Sequence, residues 1–223
     1  MVIQGLPQRS LEVGDTLTLV ATAINNAGDT IPDPGIVWII VDSDTGQLGF
    51  TLDSLTGFVT GLAPGEGRVR PRLPDVFTLA LIDISVTPAP DSVAAAGSQQ
   101  ITMGANDSAS TAMAVSVFDL TTDSSTAVAL PEKLVQFYVI DPPPGSSGAA
   151  GIYLTTSESG QQGKEQHQIA VRTDQQGEAQ AVVKRIADSA LPDSAVVDAT
   201  VVTAVGDTVT GSPVRFVVLF GAG

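Results

Sequence analysis

The 223-residue sequence contains no cysteine, which excludes disulfides and thiolate chemistry from both fold and function. Basic residues are also scarce. Only 10 Lys and Arg stand against 24 Asp and Glu, a formal net charge of −14. Such a surface repels nucleic acid and anionic lipid, and it suits a basic partner or a divalent cation without requiring either. A single histidine leaves no His pair for metal ligation or acid–base work, and no phosphate-cradling glycine motif is present. No stretch reaches the roughly 18–20 apolar residues of a membrane span. Residues 1–7 show neither the basic segment nor the apolar segment of an export signal, so export has to be inferred from elsewhere.

What is abundant points to strands. Hydrophobic residues make up 43% of the chain, enough to build cores, and they are mostly aliphatic, with one Trp and two Tyr. Val and Thr are frequent, and branched side chains fit a pleated, half-buried surface. Twenty-two Gly and 14 Pro provide the punctuation that many short strands need. Leu17, Leu19, Ala21 and Ala23 alternate with Thr16, Thr18, Val20 and Thr22, the period of a strand with one buried face. Residues 25–29 (NNAGD) read as a turn, 36–41 as an apolar strand containing Trp38, and 53–57 (DSLTG) as the turn into 58–61. Strands are also expected at 68–72 and 78–86, and in the second half near 99–103, 112–120, 134–140, 151–155, 166–173, 178–186, 195–204 and 213–220. Spacing of about 8–12 residues is the signature of a sandwich or barrel. The segment 86–92 (VTPAPDS) breaks the pattern with two prolines. The reading is all-β, with two tandem immunoglobulin-like β-sandwich domains at 1–88 and 89–223, stacked end to end.

Residues 11–19 (LEVGDTLTL), Gly28, Val37-Trp38 and 56–65 (TGFVTGLAPG) together resemble the group 2 bacterial Ig-like family across about residues 7–86. The second half, through 135–137 (VQF), 173–179 (TDQQGEA), 197–201 (VDATV) and 214–216 (VRF), is similar to the group 1 repeats of invasin- and intimin-type adhesins. The connection at 121–130 and the Pro-rich loop at 141–148 both exceed the usual length. The resemblance implies extracellular or cell-surface display, stalks and adhesion, and it carries over no catalytic residue.

Candidate sites were weighed against plainer readings. His167 lies in Gln166-His167-Gln168 without a nucleophile elbow nearby, which reads as solvated decoration rather than a Ser-His-Asp member. Asp42 and Asp44 with Asp53, or Asn106 and Asp107 with Asp119 and Asp123, could present hard oxygens to calcium, yet neither set matches a calcium loop and Asp favours turns for local reasons. No cofactor is therefore expected. Arg68, Arg70 and Arg72 share one strand face. Two readings stand: an edge strand guarded by charge and Pro71, or an electrostatic dock for an acidic neighbour. Where the group 2 pattern has serines after the Trp, this chain has Ile39, Ile40 and Val41. Both faces of that strand, Val37, Ile39 and Val41 included, are then expected to be covered, either within the chain or at a subunit interface. The chain ends, apolar at 1–6 and 214–220, could exchange strands between subunits. The expected function is non-catalytic: an adhesin stalk or spacer, or an extracellular filament subunit. Its expected partners are neighbouring Ig-like modules or identical subunits, with a surface or host ligand also possible. A carbohydrate- or receptor-binding module is the alternative, weakened by the sparse aromatics.

Overall fold

The computed structural model describes residues 9–42, 48–73, 81–120, 127–147, 149–156, 166–186 and 189–221. The chain divides into two compact units, Met1–Ala89 and Pro90–Gly223. The described residues form seventeen β-strands and one 3-10 turn, with no α-helix.

Unit 1 contains β1 (Arg9–Glu12), β2 (Thr16–Thr18), β3 (Val37–Asp42), β4 (Phe50–Leu52), β5 (Phe58–Gly61), β6 (Gly65–Arg72) and β7 (Ile82–Thr87). One sheet runs β1-β7-β6-β3 and the other β2-β5-β4. Alternation along β6 and β7 sends Val69, Ile82, Ile84 and Val86 inward, where they meet Trp38, Leu11 and, from the other sheet, Val59, Phe50 and Leu19. Full burial of this set makes a sandwich with one continuous core. The alternation expected over 16–23 persists as burial, with Leu19 and Ala23 buried, but the ladder ends at Thr18. Beyond it, Leu19 N–H bonds Gly57 O, and Ile24 bridges Thr30 across the Asn25 turn.

Unit 2 contains β8 (Ser92–Ala95), β9 (Gln100–Met103), β10 (Met113–Leu120), β11 (Ala127–Ala129), β12 (Leu134–Asp141), the 3-10 turn Ala149–Gly151, β13 (Ile152–Thr155), β14 (Gln168–Arg172), β15 (Glu178–Arg185), β16 (Ser194–Val201) and β17 (Val214–Phe220). One sheet runs β11-β10-β15-β13, with β8 also on β10. The other runs β14-β12-β16-β17-β9. Phe137, Phe216, Met103, Met113, Ile152 and Leu154 lie between them and are almost fully buried. The connection expected at 121–130 contributes β11, which extends the β10 ladder through Phe118↔Ala129.

The two units share a plan. In unit 1 the order β3-β6-β7-β1 repeats as β12-β16-β17-β9 in unit 2, and the outermost pair, β1–β7 or β9–β17, is parallel in both. β3 and β12 each slip register near the C-terminal end, between Ile40 and Asp42 and between Val139 and Asp141. A bulge at the same place in both strands adds one residue and bends the strand.

Two expectations are corrected. The Trp38 strand is not covered on both faces by the described residues: β3 ends its sheet, and Ile40 and Val41 are exposed. The arginine strand β6 is not an edge, since it lies between β7 and β3. Pro71 is tolerated inside this sheet for a geometric reason. Among the described residues β7 pairs β6 as far as Val69↔Ile82, and Pro71 faces Trp38, whose own N–H points away from β6 to Ser54 O. No described ladder bond asks for the N–H that proline lacks. The C-terminal strand β17 finds its partners, β16 and β9, within its own chain, and residues 1–6 lie outside the described set.

Candidate functional site

Two turns that contain parts of the resemblance motifs, Thr56-Gly57 and residues 173–179, tie one sheet to the other. In unit 1, Asp53 Oδ1 accepts from Leu55 N–H at 2.9 Å and Thr56 N–H at 3.3 Å, while Gly57 N–H returns to Asp53 O. The Leu55 N–H, with Thr56, holds the Asp53 carboxyl below the usual carboxylate range. Trp38 N–H donates to Ser54 O of the same turn. Gly57 has φ of +71°, and a Cβ there would lie 2.6 Å from Trp38 Nε1. Only glycine meets both demands. In unit 2, Thr173 is buried; its hydroxyl donates to Leu130 O at 2.6 Å and accepts from Lys133 N–H at 2.9 Å. Asp174 Oδ1 accepts from Gln176 and Glu178 N–H, and Gly177 has φ of +73°. These are structural roles, each turn replacing water with its own hydrogen bonds.

Of the proposed calcium ligands, those whose side chains are described, Asp53, Asp107 and Asp119, do not gather in one group. Asp53 is committed to its turn. Asp44 and Asp123 lie outside the described residues, and of Asp42 only the backbone is described. Asp107 accepts from Gly104 N–H. Asp119 instead faces Asp91. Burial, then the hydrogen bond and charge of Asp91, raise its carboxyl, against a smaller opposing pull from Lys133. Among the described residues no group of three or more His, Asp or Glu side chains is placed to hold a metal ion. His167 Nε2 lies 2.9 Å from Ala149 O, a link to the 3-10 turn.

The outer sheet faces hold the other predicted residues. On unit 1, Val37 is opposite Arg72 and Ile39 opposite Arg70, while Asp42 is opposite Arg68. Val37, Ile39, Arg68 and Arg70 are half-buried, Val41 and Arg72 exposed. Aliphatic and cationic side chains thus share one strip. Sequence periodicity placed the arginines on one face but could not show which strand they would adjoin.

On unit 2 the equivalent face holds a pair that sequence reading missed. Asp198 is only 3% exposed although its strand position points outward. Arg215 reaches it from β17 with Nε–Oδ1 of 2.8 Å and Nη2–Oδ2 of 2.9 Å, while 58% of the Arg215 side chain stays exposed. The hydrogen bonds and charge of Asp198 raise the Arg215 pKa. Tyr138 stands opposite Asp198 on the other side, and Thr200 lies 3.4 Å from its hydroxyl. The strand spacing V-x-D-A in 196–199 beside V-R-F in 214–216 was the available signal.

This architecture is a tandem pair of immunoglobulin-like β-sandwiches. No protein-family model matches the chain, and no curated protein matches it. Among solved structures the chain is similar to domains 4 and 5 of the S-layer protein SbsC, at 14% identity over 93% of this chain and 82% of that one, TM-score 0.34. It is likewise similar to the D00-D0 domain of intimin (13% identity, 97% and 96% covered, TM-score 0.35). The fibronectin(III)-like modules of Clostridium thermocellum CbhA give 12% identity, 99% and 93% covered, and TM-score 0.41. No residue role passes from these proteins to this chain.

Proposed function

We propose that the chain is a non-catalytic, load-bearing module of an exported bacterial surface protein, serving as an adhesin stalk or spacer or as a filament subunit outside the cell. Its group 1-like and group 2-like motifs favour that setting, and it needs no cofactor. The reading rests on one observation, the parallel closure of both units. In unit 1 the first strand β1 lies parallel to the last strand β7, from Arg9↔Ile84 to Glu12↔Thr87. In unit 2 the chain enters beside Thr210 and leaves at Gly221, past a β9–β17 ladder that runs from Gln100↔Val217 to Met103↔Phe220. Tension on the chain ends then acts along these strands. All ladder bonds resist together, rather than opening one after another as in a peeled hairpin.

The test is single-molecule stretching, and the absence of cysteine lets introduced thiols define the pulling direction. Tethers at the chain ends shear β9 from β17. Tethers at Asn106→Cys and Gly221→Cys, both past the same end of that pair, peel it. Unit 2 is expected to resist severalfold more force in the first geometry at equal loading rate. Equal forces in the two geometries would overturn the load-bearing reading.

A further inference from the structure

The connection between β9 and β10 in unit 2 presents side chains that the fold does not use. Its base is pinned to β15: Arg185 N–H donates to Ser108 O at 3.1 Å, the Arg185 guanidinium to Ala105 O, and Ser110 N–H to Val183 O at 2.8 Å. Its tip is a tight turn, in which Asp107 N–H donates to Gly104 O and Asp107 Oδ2 accepts from Gly104 N–H at 2.8 Å. Asn106, Asp107 and Ser108 are all exposed. No hydrogen bond among the described residues engages the Asn106 carboxamide or the Ser108 hydroxyl. The chain's two other asparagines differ. Asn25 is locked into its own turn, its Oδ1 accepting from Ala27 and Asp29 N–H and its Nδ2 donating to Asp29. Two places beyond Asn25 and Asn26 stand Ala27 and Gly28, which carry no hydroxyl. Only Asn106 has a hydroxyl residue at that spacing, Ser108, with a residue other than proline between them. That tripeptide is the acceptor pattern for N-linked glycans, which need the asparagine on a surface loop.

We propose that Asn106 is the acceptor of an N-linked glycan, transferred after export from an oligosaccharide carried on a polyprenyl diphosphate. In that step a bond forms between Asn106 Nδ2 and the anomeric carbon of the sugar. The bond from that carbon to the diphosphate oxygen breaks, the polyprenyl diphosphate leaves, and Nδ2 gives one proton to a base of the transferase. No oxidant or reductant is required. The glycan costs the fold nothing, because the loop is held by its own backbone, by Arg185 and by the Asp107 carboxylate rather than by Asn106. Gly221 N–H meets Met103 O at 2.9 Å, so the turn lies at the end of the β9–β17 ladder. A bulky, hydrated group at that end keeps other chains off the strand ends. The proposal rests on the exported setting argued above and adds to it a modification that the load-bearing role does not require.

The experiment incubates the folded full chain with a bacterial oligosaccharyltransferase of broad Asn-X-Ser/Thr acceptance and its polyprenyl-diphosphate-linked oligosaccharide. A synthetic peptide of residues 102–110 is treated in parallel, and products are read by intact mass and peptide mapping. Chain and peptide are both expected to gain a single glycan, mapped to Asn106. Asn106→Gln and Ser108→Ala should lose it, Ser108→Thr should keep it, and Asn26→Gln should leave it unchanged. These substitutions alter exposed side chains outside the hydrogen-bonded frame, so calorimetry should find the variants folded like the native chain. A modified peptide beside an unmodified chain would mean that the folded turn withholds Asn106, and the proposal falls. It falls equally if neither is modified, since the tripeptide is then no acceptor, or if the glycan persists in Asn106→Gln. Any of these results leaves the load-bearing role standing, because that role is decided by the stretching forces alone.

Discussion

Asp53, Asp107 and Asp174 turn their carboxylates back onto backbone N–H groups within a few residues of themselves. The same residue type at Asp198 is buried against Arg215 from another strand, and at Asp119 it is set against a second carboxylate. Composition could count these aspartates but not sort them, because the difference lies in which strand arrives beside each one. The DSLTG and TDQQGEA turns were legible because their bonds are local; the Asp119–Asp91 pair was not, since its members are separated by all of β8, β9 and the residues up to β10. That pair has a consequence for pH. The folded-state pKa of Asp119 lies above its value of 3.8 in an unperturbed chain. Between those two values the folded protein holds a proton that the unfolded chain releases, so stability falls as pH rises through the window. The penalty then persists at neutral pH. Asp119→Asn removes it while keeping a donor toward Asp91, and calorimetry should show a higher midpoint at pH 7 and a flatter dependence across the mildly acidic range. A midpoint at pH 7 unchanged or lowered, with its pH dependence intact, would refute this account.

The strands themselves were largely readable, and their neighbours were not. A period of two fixes which face of β6 carries Val69 and which carries Arg70, and the burial pattern agrees. It contains nothing about lateral order: apolar β3 suggests a strand covered on both faces and charged β6 admits an edge reading, whereas among the described residues β3 ends its sheet and β6 lies inside it. Pro71 favoured the edge reading, because proline inside a sheet is usually excluded, yet no described ladder bond asks for the N–H it lacks. The Gly57 turn illustrates what holds such an edge strand. It grips Trp38 through the Ser54 carbonyl and leaves no room at Gly57 for a side chain beside the indole. Gly57→Ala therefore meets two costs, a positive φ and a contact far below van der Waals distance. The positive φ alone is worth about 1–3 kcal/mol. Denaturant unfolding followed by the fluorescence of Trp38, the chain's one tryptophan, should report a loss of at least that size. A loss below about 0.5 kcal/mol, the range of an ordinary surface change, would mean that the turn does not grip the strand.

At the scale of the molecule, each unit buries a core that shares no residue with the other, Trp38, Val59 and Ile84 in one and Phe137, Phe216 and Met113 in the other. Two cores arise because the prolines at 88 and 90 interrupt the strand grammar, a break that composition displayed openly. Cooperative unfolding follows a shared core, so separate cores predict separate transitions. Substitutions confined to one unit can test this. Gly57→Ala acts on the smaller core. Thr173→Val acts on the larger, keeping the shape of the buried side chain while leaving Lys133 N–H and Leu130 O without their hydroxyl partner, at a cost of about 1–3 kcal/mol. Calorimetry of the full chain should resolve two transitions. Gly57→Ala should lower only the one reported by Trp38 fluorescence, and Thr173→Val only the other. Should either substitution move both transitions together, the units stabilise each other, and tension along the chain would be borne by the pair as one body rather than by each sandwich in turn.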